Sequence, residues 1–195
     1  MGQYESIVVS HDNEDTKVTV MANPNNYKLL GLGFQGAVFE LSKTKCVKIY
    51  PHSYSRNLEE DILKDVQKSE FFPKIYETGN KYIVMENIHG TPLDNYLKNT
   101  RELPEWIIYK LLHLLTEMKK FHFTRIDVKL RHVLILEEEK KVKVIDHVNS
   151  RQKVTPYPKN LLKGLEKMGF LATFIQKVKK IDKTIYDEWK KQGAL

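Results

Sequence analysis

The sequence predicts an α+β chain in two parts: a β-rich first half with a five-stranded antiparallel sheet and one helix, then a helical second half around one β-hairpin. Three observations predict it. From Tyr27 to Tyr50 the residues alternate as strands, with glycines clustered at 31, 33 and 36. Apolar residues then take helical spacing at Leu58, Ile62, Leu63 and Val66 before two further strands. After Pro104 a long apolar stripe opens a stretch in which helical spacing predominates.

Ile7 to Val9 and Lys17 to Met21 read as short β segments around the turn-rich His11-Asp12-Asn13-Glu14-Asp15, and Asn23-Pro24-Asn25-Asn26 closes this extension, residues 1–26. A hairpin follows. Its polar turn Ser42 to Lys45 leads into a third strand, Cys46-Val47-Lys48-Ile49-Tyr50. Past the helix, Pro73 and Gly79 punctuate two strands, Lys74 to Glu77 and Lys81 to Glu86, which complete a first domain at residues 27–86. The boundary falls between Asn87 and Gly90, and residues 87–195 form the second domain. Pro104 suits a first helical turn, and Ile107, Ile108, Leu111, Leu112, Leu115 and Met118 stripe a core helix ending near Phe121. Val133 to Leu136 and Val142 to Ile145 are strands about the charged tip Glu137 to Lys141, and the tail from Asn160 to Gln192 is helical in pattern.

A chain of 195 residues with 41% hydrophobic content and 10 Tyr, 8 Phe and 2 Trp can bury a core, which excludes disorder. No apolar run approaches the roughly 20 residues of a membrane span, and no basic-then-apolar leader opens the sequence, so a soluble, cytoplasmic chain is expected. The single cysteine, Cys46, excludes an internal disulfide framework and a CxxC zinc site. The net charge of +7 comes from scattered lysines, which read as solvated faces rather than a nucleic-acid patch. That excess still attracts an anionic ligand.

Gly31-Leu32-Gly33-Phe34-Gln35-Gly36 matches G-x-G-x-x-G. In a dinucleotide-binding fold a helix begins within that motif, whereas here Ala37-Val38-Phe39-Glu40-Leu41 continues as a strand. The glycines therefore occupy a hairpin loop whose backbone N–H groups can approach a triphosphate without side-chain obstruction. No Gly-Lys-Ser/Thr follows, which argues against a P-loop.

From Leu29 to Ile145 the sequence resembles the protein kinases, with the motifs in order. Leu30-Gly31-Leu32-Gly33-Phe34-Gln35-Gly36-Ala37-Val38 is similar to their glycine-rich loop, and Cys46-Val47-Lys48 to the strand whose lysine grips the α and β phosphates. The resemblance implies a glutamate partner for Lys48 on the following helix: Glu59, with Glu60 as the alternative. Tyr82 to Leu97 is similar to the strand, hinge and helix that hold adenine, with Met85 as gatekeeper and Glu86 and Ile88 offering backbone hydrogen bonds. Phe121 to Ile135 resembles the catalytic loop. There Asp127 takes the place of the aspartate that accepts the substrate's proton, and Lys129 that of the lysine that steadies the transferred phosphoryl group. Nineteen residues after Asp127, Asp146 matches the magnesium-binding aspartate.

Three residues depart from the pattern. Ile126 replaces the arginine before the catalytic aspartate, His132 the metal-binding asparagine, and His147-Val148 the Phe-Gly after Asp146. An imidazole at 132 shifts metal preference from Mg2+ toward Mn2+, and at the reference pKa near 6.5 it loses that role on acidification. After Val148 the resemblance ends without Ala-Pro-Glu, so the second lobe is trimmed, similar to RIO-type and lipopolysaccharide kinases. The resemblance implies an ATP-dependent Ser/Thr protein kinase of minimal type using Mg2+ or Mn2+, with an unidentified protein or small-molecule substrate. The alternatives are a nucleotide-binding pseudokinase and a small-molecule kinase. A bare metal site of Asp127, His132, Asp146 and His147 is a remote further reading.

Overall fold

The computed structural model describes residues 2–11 and 16–194, so most of the turn expected at His11 to Asp15 lies outside the described residues. The chain divides into two compact units, Met1–Lys68 with Phe72–Ile88 and Ser69–Phe71 with His89–Leu195.

In the first unit β1 (Val8–Ser10) and β2 (Thr19–Ala22) pair antiparallel as a hairpin. Next come β3 (Leu29–Leu32), β4 (Ala37–Glu40), β5 (Lys45–Ile49), α1 (Ser53–Asp65), β6 (Ile75–Thr78) and β7 (Tyr82–Glu86). The strands form one antiparallel sheet in the order β3-β4-β5-β7-β6. Side chains alternate across a strand, and residues directly opposite share a face. Ala37 opposite Ile49, and Phe39 opposite Val47, therefore define one face, which continues to Val84 and packs on Ile7, Val9 and Val18 of the N-terminal extension. Val38 opposite Lys48, and Cys46 opposite Met85, define the other. The extension thus covers the back of the sheet and leaves its second face for Lys48 and α1.

In the second unit β8 (Thr91–Pro92) leads into α2 (Leu93–Thr100), which ends at Arg101 in the left-handed conformation (φ 54°). α3 (Glu105–Lys120) buries the expected stripe and also Leu114. A 3-10 turn at Leu130–His132 precedes β9 (Val133–Leu136) and β10 (Lys141–Val144), and the sheet runs β10-β9-β8. Ile145 falls outside β10. Ser69–Phe71 joins this unit because the Phe71 carbonyl accepts from Val144 N–H at 2.7 Å and Glu70 pairs with Lys110 at 2.7 Å.

The helical tail is three helices: α4 (Lys159–Lys167), α5 (Leu171–Ile181) and α6 (Lys183–Lys191). Gly169, with φ +78°, ends the first, and the Asp182 carboxylate caps α6 by accepting from Ile185 N–H at 3.0 Å. Trp189 is buried and stacks on Phe174 at 6.2 Å, which ties α6 to α5.

Candidate active site

The glycine loop joins β3 to β4. Gly33 N–H donates to the Gly36 carbonyl at 2.9 Å, and the Gly33 carbonyl accepts from Val18 N–H of the N-terminal extension at 2.9 Å. A Cβ on Gly36 would lie 2.4 Å from the Ile49 carbonyl oxygen, so only glycine permits the loop to lie this close to β5. Phe34 stands exposed at the tip beside half-buried Gln35. Leu30 lies in the irregularity of the β3–β4 register and Leu32 opposite Ala37; both leucines are exposed.

Lys48 is 8% exposed, and its Nζ donates to Glu59 Oε2 at 2.5 Å; Glu59 is 2% exposed. Tyr50 O–H donates to the same oxygen at 2.9 Å. Glu60, the alternative partner, instead pairs with Arg56 and Lys64 of its own helix. Val38, Cys46, Lys48 and Met85 share one face of the sheet. Ala37, expected among the nucleotide contacts, does not: β alternation turns it to the opposite face, fully buried against the N-terminal extension. Burial pushes the Cys46 thiol up to about 12, against the lowering field of Lys48, and its Sγ lies 3.5 Å from the Glu86 carbonyl.

At the expected hinge the Glu86 N–H donates to the Lys74 carbonyl at 2.8 Å, so that donor is engaged within the sheet. Its carbonyl lies 3.5 Å from the Cys46 Sγ, and Ile88 follows two residues on.

In the second unit the Asp127 loop is held by the segment after Asp146. Arg125 N–H donates to the Ser150 carbonyl at 3.0 Å, Thr155 N–H to Thr124 at 2.9 Å, and Thr124 Oγ1 to the Lys153 carbonyl at 3.0 Å. Asn160, at the start of α4, donates its backbone N–H to Asp127 Oδ1 and its amide to Oδ2. Burial pushes the Asp127 carboxyl above the usual aspartate range, opposed by these bonds and by Arg125, whose guanidinium lies 4.0 Å away. Gly164 of α4 permits the close packing, since a Cβ there would lie 2.7 Å from Leu130 Cγ.

Lys129, half-buried, leads into the 3-10 turn. His132 Nδ1 lies 3.7 Å from Asp146 Oδ2, and Arg131 Nε donates to His132 Nε2 at 3.2 Å. Asp146 itself has φ +70°, a left-handed conformation uncommon outside glycine. Burial pushes the His132 imidazole down to about 4, with Asp146 opposing and Arg131, Lys129 and His147 adding to the effect. This corrects the expected value near 6.5: the ring stays neutral, and able to ligate, throughout the ordinary pH range.

The other departures have structural reasons. His147 is 2% exposed, bonds the Val144 carbonyl through Nε2 at 2.9 Å and packs edge-on to Phe123. It is a core residue of this loop. Ile126 is buried and lines a small apolar cavity with Leu115, Ile185 and Trp189, where an arginine would bury a charge. Among the described residues no group of three or more His, Cys, Asp or Glu is placed to hold a metal, so Asp127, His132, Asp146 and His147 do not form one site.

Sequence reasoning missed Tyr50 and Asn160. Tyr50 adjoins the recognised strand, but nothing local marks its bond to Glu59. Asn160 lies 33 residues from Asp127 and has no motif of its own.

No family model matches the sequence. Over 132 residues the chain is 31% identical to the "Putative serine/threonine-protein kinase YrzF" of Bacillus subtilis (strain 168), a match spanning 65% of this chain and 61% of that protein. Among solved structures it is similar to a chain of the co-crystal structure of WbdD and the kinase inhibitor LY294002, with a TM-score of 0.52 and 19% identity, over 80% of this chain and 47% of that one. The chain thus spans less than two thirds of the length of the relative and about half that of the solved structure.

Proposed function

Because this chain has the protein-kinase-like fold, we propose that it is an ATP-dependent phosphotransferase that acts on a Ser or Thr hydroxyl of a protein. The observation that carries this reading is the Lys48–Glu59 pair. Two charges at 8% and 2% exposure cost several kcal/mol of desolvation each, roughly what their attraction returns. Such a pair contributes little to folding that apolar side chains would not. Its use is to hold an ammonium beside the Gly36 backbone, where phosphate oxygens can be received.

In this reading Lys48 grips the α and β phosphates, while Ile88 N–H and the Glu86 carbonyl face the adenine edge. The acceptor oxygen forms a bond to the γ phosphorus as the bond to the β-bridging oxygen breaks. ADP leaves with that electron pair, and the hydroxyl proton passes to Asp127, which burial makes a better base than an ordinary aspartate. Asn160 fixes the carboxylate's orientation, and Lys129 steadies the transferred group. Asp146 and His132 fit a divalent cation as one carboxylate and one imidazole, a set better suited to Mn2+ than Mg2+, with water and phosphate oxygens as further ligands. When bound, such an ion offsets the charge of the phosphate oxygens.

The buried His147 and the His132 substitution favour a second reading, a nucleotide-binding module without turnover. One experiment separates the two: the chain with labelled ATP, Mg2+ or Mn2+, and a cell lysate. Phosphotransfer above that of Asp127→Asn supports the kinase, whereas an ATP-induced rise in Tm without any transfer supports the module.

A further inference from the structure

The charge of the chain is unevenly placed. The first unit carries 10 Lys and Arg against 11 Asp and Glu, and the second carries 22 against 14, so the whole positive excess lies in the second. Within it, residues 147–165 contain no acidic residue and four basic ones, Arg151, Lys153, Lys159 and Lys163. This is the segment whose backbone bonds to Thr124 and Arg125 and whose Asn160 grips Asp127. Its basic residues therefore lie on the segment that holds the Asp127 loop.

Three lysines elsewhere in the unit are matched, Lys110 by Glu70, Lys119 by Glu188 and Lys177 by Glu105. Lys153, Lys159 and Lys163 are exposed, and among the described residues no carboxylate pairs with them. Their placement works against α4. Lys159 stands at its N-terminus, where the helix dipole disfavours a cation, and the first turn holds no acid. Lys163, four residues on, repels it. These positions cost the helix stability and return nothing inside the chain, which an anionic ligand would reverse.

We infer that the acceptor is an extended protein segment whose hydroxyl is flanked by acidic side chains, read by Lys153, Lys159 and Lys163. The inference rests on the phosphotransferase reading, in which Asp127 receives that hydroxyl. Lys159 and Lys163 lie about 6 Å apart along α4 and Lys153 lies on the preceding loop, a spread that suits several carboxylates along a strand better than one phosphate. Residues 147–165 present no exposed aromatic on which a base could stack, which disfavours single-stranded nucleic acid.

The test is fluorescence anisotropy of the full chain with three labelled probes: a serine peptide flanked by glutamates, the same peptide flanked by lysines, and a single-stranded oligonucleotide. The glutamate peptide is expected to bind at least ten-fold tighter than either other probe. Lys153→Glu, Lys159→Glu and Lys163→Glu together should remove that preference while leaving the ATP-induced rise in Tm unchanged. Equal binding of the two peptides, tighter binding of the oligonucleotide, or a preference that survives the triple reversal overturns the inference. Phosphotransfer by the wild type from labelled ATP, measured alongside against Asp127→Asn, reports separately on the phosphotransferase reading, so failure of one does not mimic failure of the other.

Discussion

The two units carry their charged groups in opposite ways. In the first, Lys48 and Glu59 are buried and bonded to each other, and Tyr50 adds a third bond to the same carboxylate oxygen. In the second, Asp146 is about a third exposed and lies 3.7 Å from His132, and Asp127 depends on Asn160. The first arrangement is buried and bonded within itself, whereas the second is more open to solvent. Nucleotide grip and phosphotransfer should therefore respond separately to substitution.

The largest expected effect is at Asp127. Asp127→Asn should cut phosphotransfer about a thousand-fold, the scale of a lost general base, while leaving the ATP-induced rise in Tm intact. In the wild type the base must be ionised, and burial raises its pKa. The acid limb of the rate profile should then lie above the usual aspartate value near 3.9, with the rate falling as pH drops through it. A Tm shift that disappears with Asp127→Asn would mean that the units do not divide the work.

Lys48→Met should weaken ATP binding by about ten-fold or more, which removes roughly 1.4 kcal/mol of ligand stabilisation at saturating ATP. Glu59→Gln should act in the same direction. Glu60→Gln should leave the ATP shift unchanged, because Glu60 pairs with Arg56 and Lys64. Isothermal titration of the three variants checks the contrast, and equal losses at Glu59 and Glu60 would sink it.

These residues also show what was legible in the sequence. The strands and α1 were, because period-2 and helical spacings are local, whereas Glu59 as the partner of Lys48, ahead of Glu60, came from the resemblance to the protein kinases. Ala37 was misplaced because adjacency in a motif says nothing about face; the pleat sends it under the N-terminal extension. Asn160 and the Ser69–Phe71 segment were invisible for another reason. Their partners, Asp127 and Val144, lie far away in the chain, and only packing brings them together.

A smaller effect is expected where α4 meets the Asp127 loop. Gly164→Val places a branched side chain against Leu130 and should cost about 1–3 kcal/mol of overpacking. The same shift of α4 should loosen Asn160. Phosphotransfer should then fall more than Lys163→Ala reduces it, since Lys163 is exposed on the same helix.

The smallest effect concerns Cys46. On the face shared with Lys48 and Met85, the thiol reads as a group that ATP would shield from reagents. It is already buried, and desolvation lifts its pKa to about 12, so at pH 8 only about one thiol in ten thousand is thiolate. Labelling should be slow with or without ATP, and fast once guanidinium unfolds the chain. The same shift makes a stability prediction. A group whose folded pKa is raised contributes its full stability below the unfolded value and loses it as pH rises toward the folded one. Between about pH 9 and 12 the folded chain should lose up to about 1.4 kcal/mol per pH unit through this thiol. Tyr82 and Tyr96, also raised to about 12, titrate in the same sense, so Cys46→Ala is needed to isolate the thiol's share. Urea titrations at pH 8.5 and 10.5 should show a shallower loss for Cys46→Ala than for the wild type. Parallel losses, or rapid labelling that ATP blocks, would place the thiol in an open pocket instead of beneath the sheet.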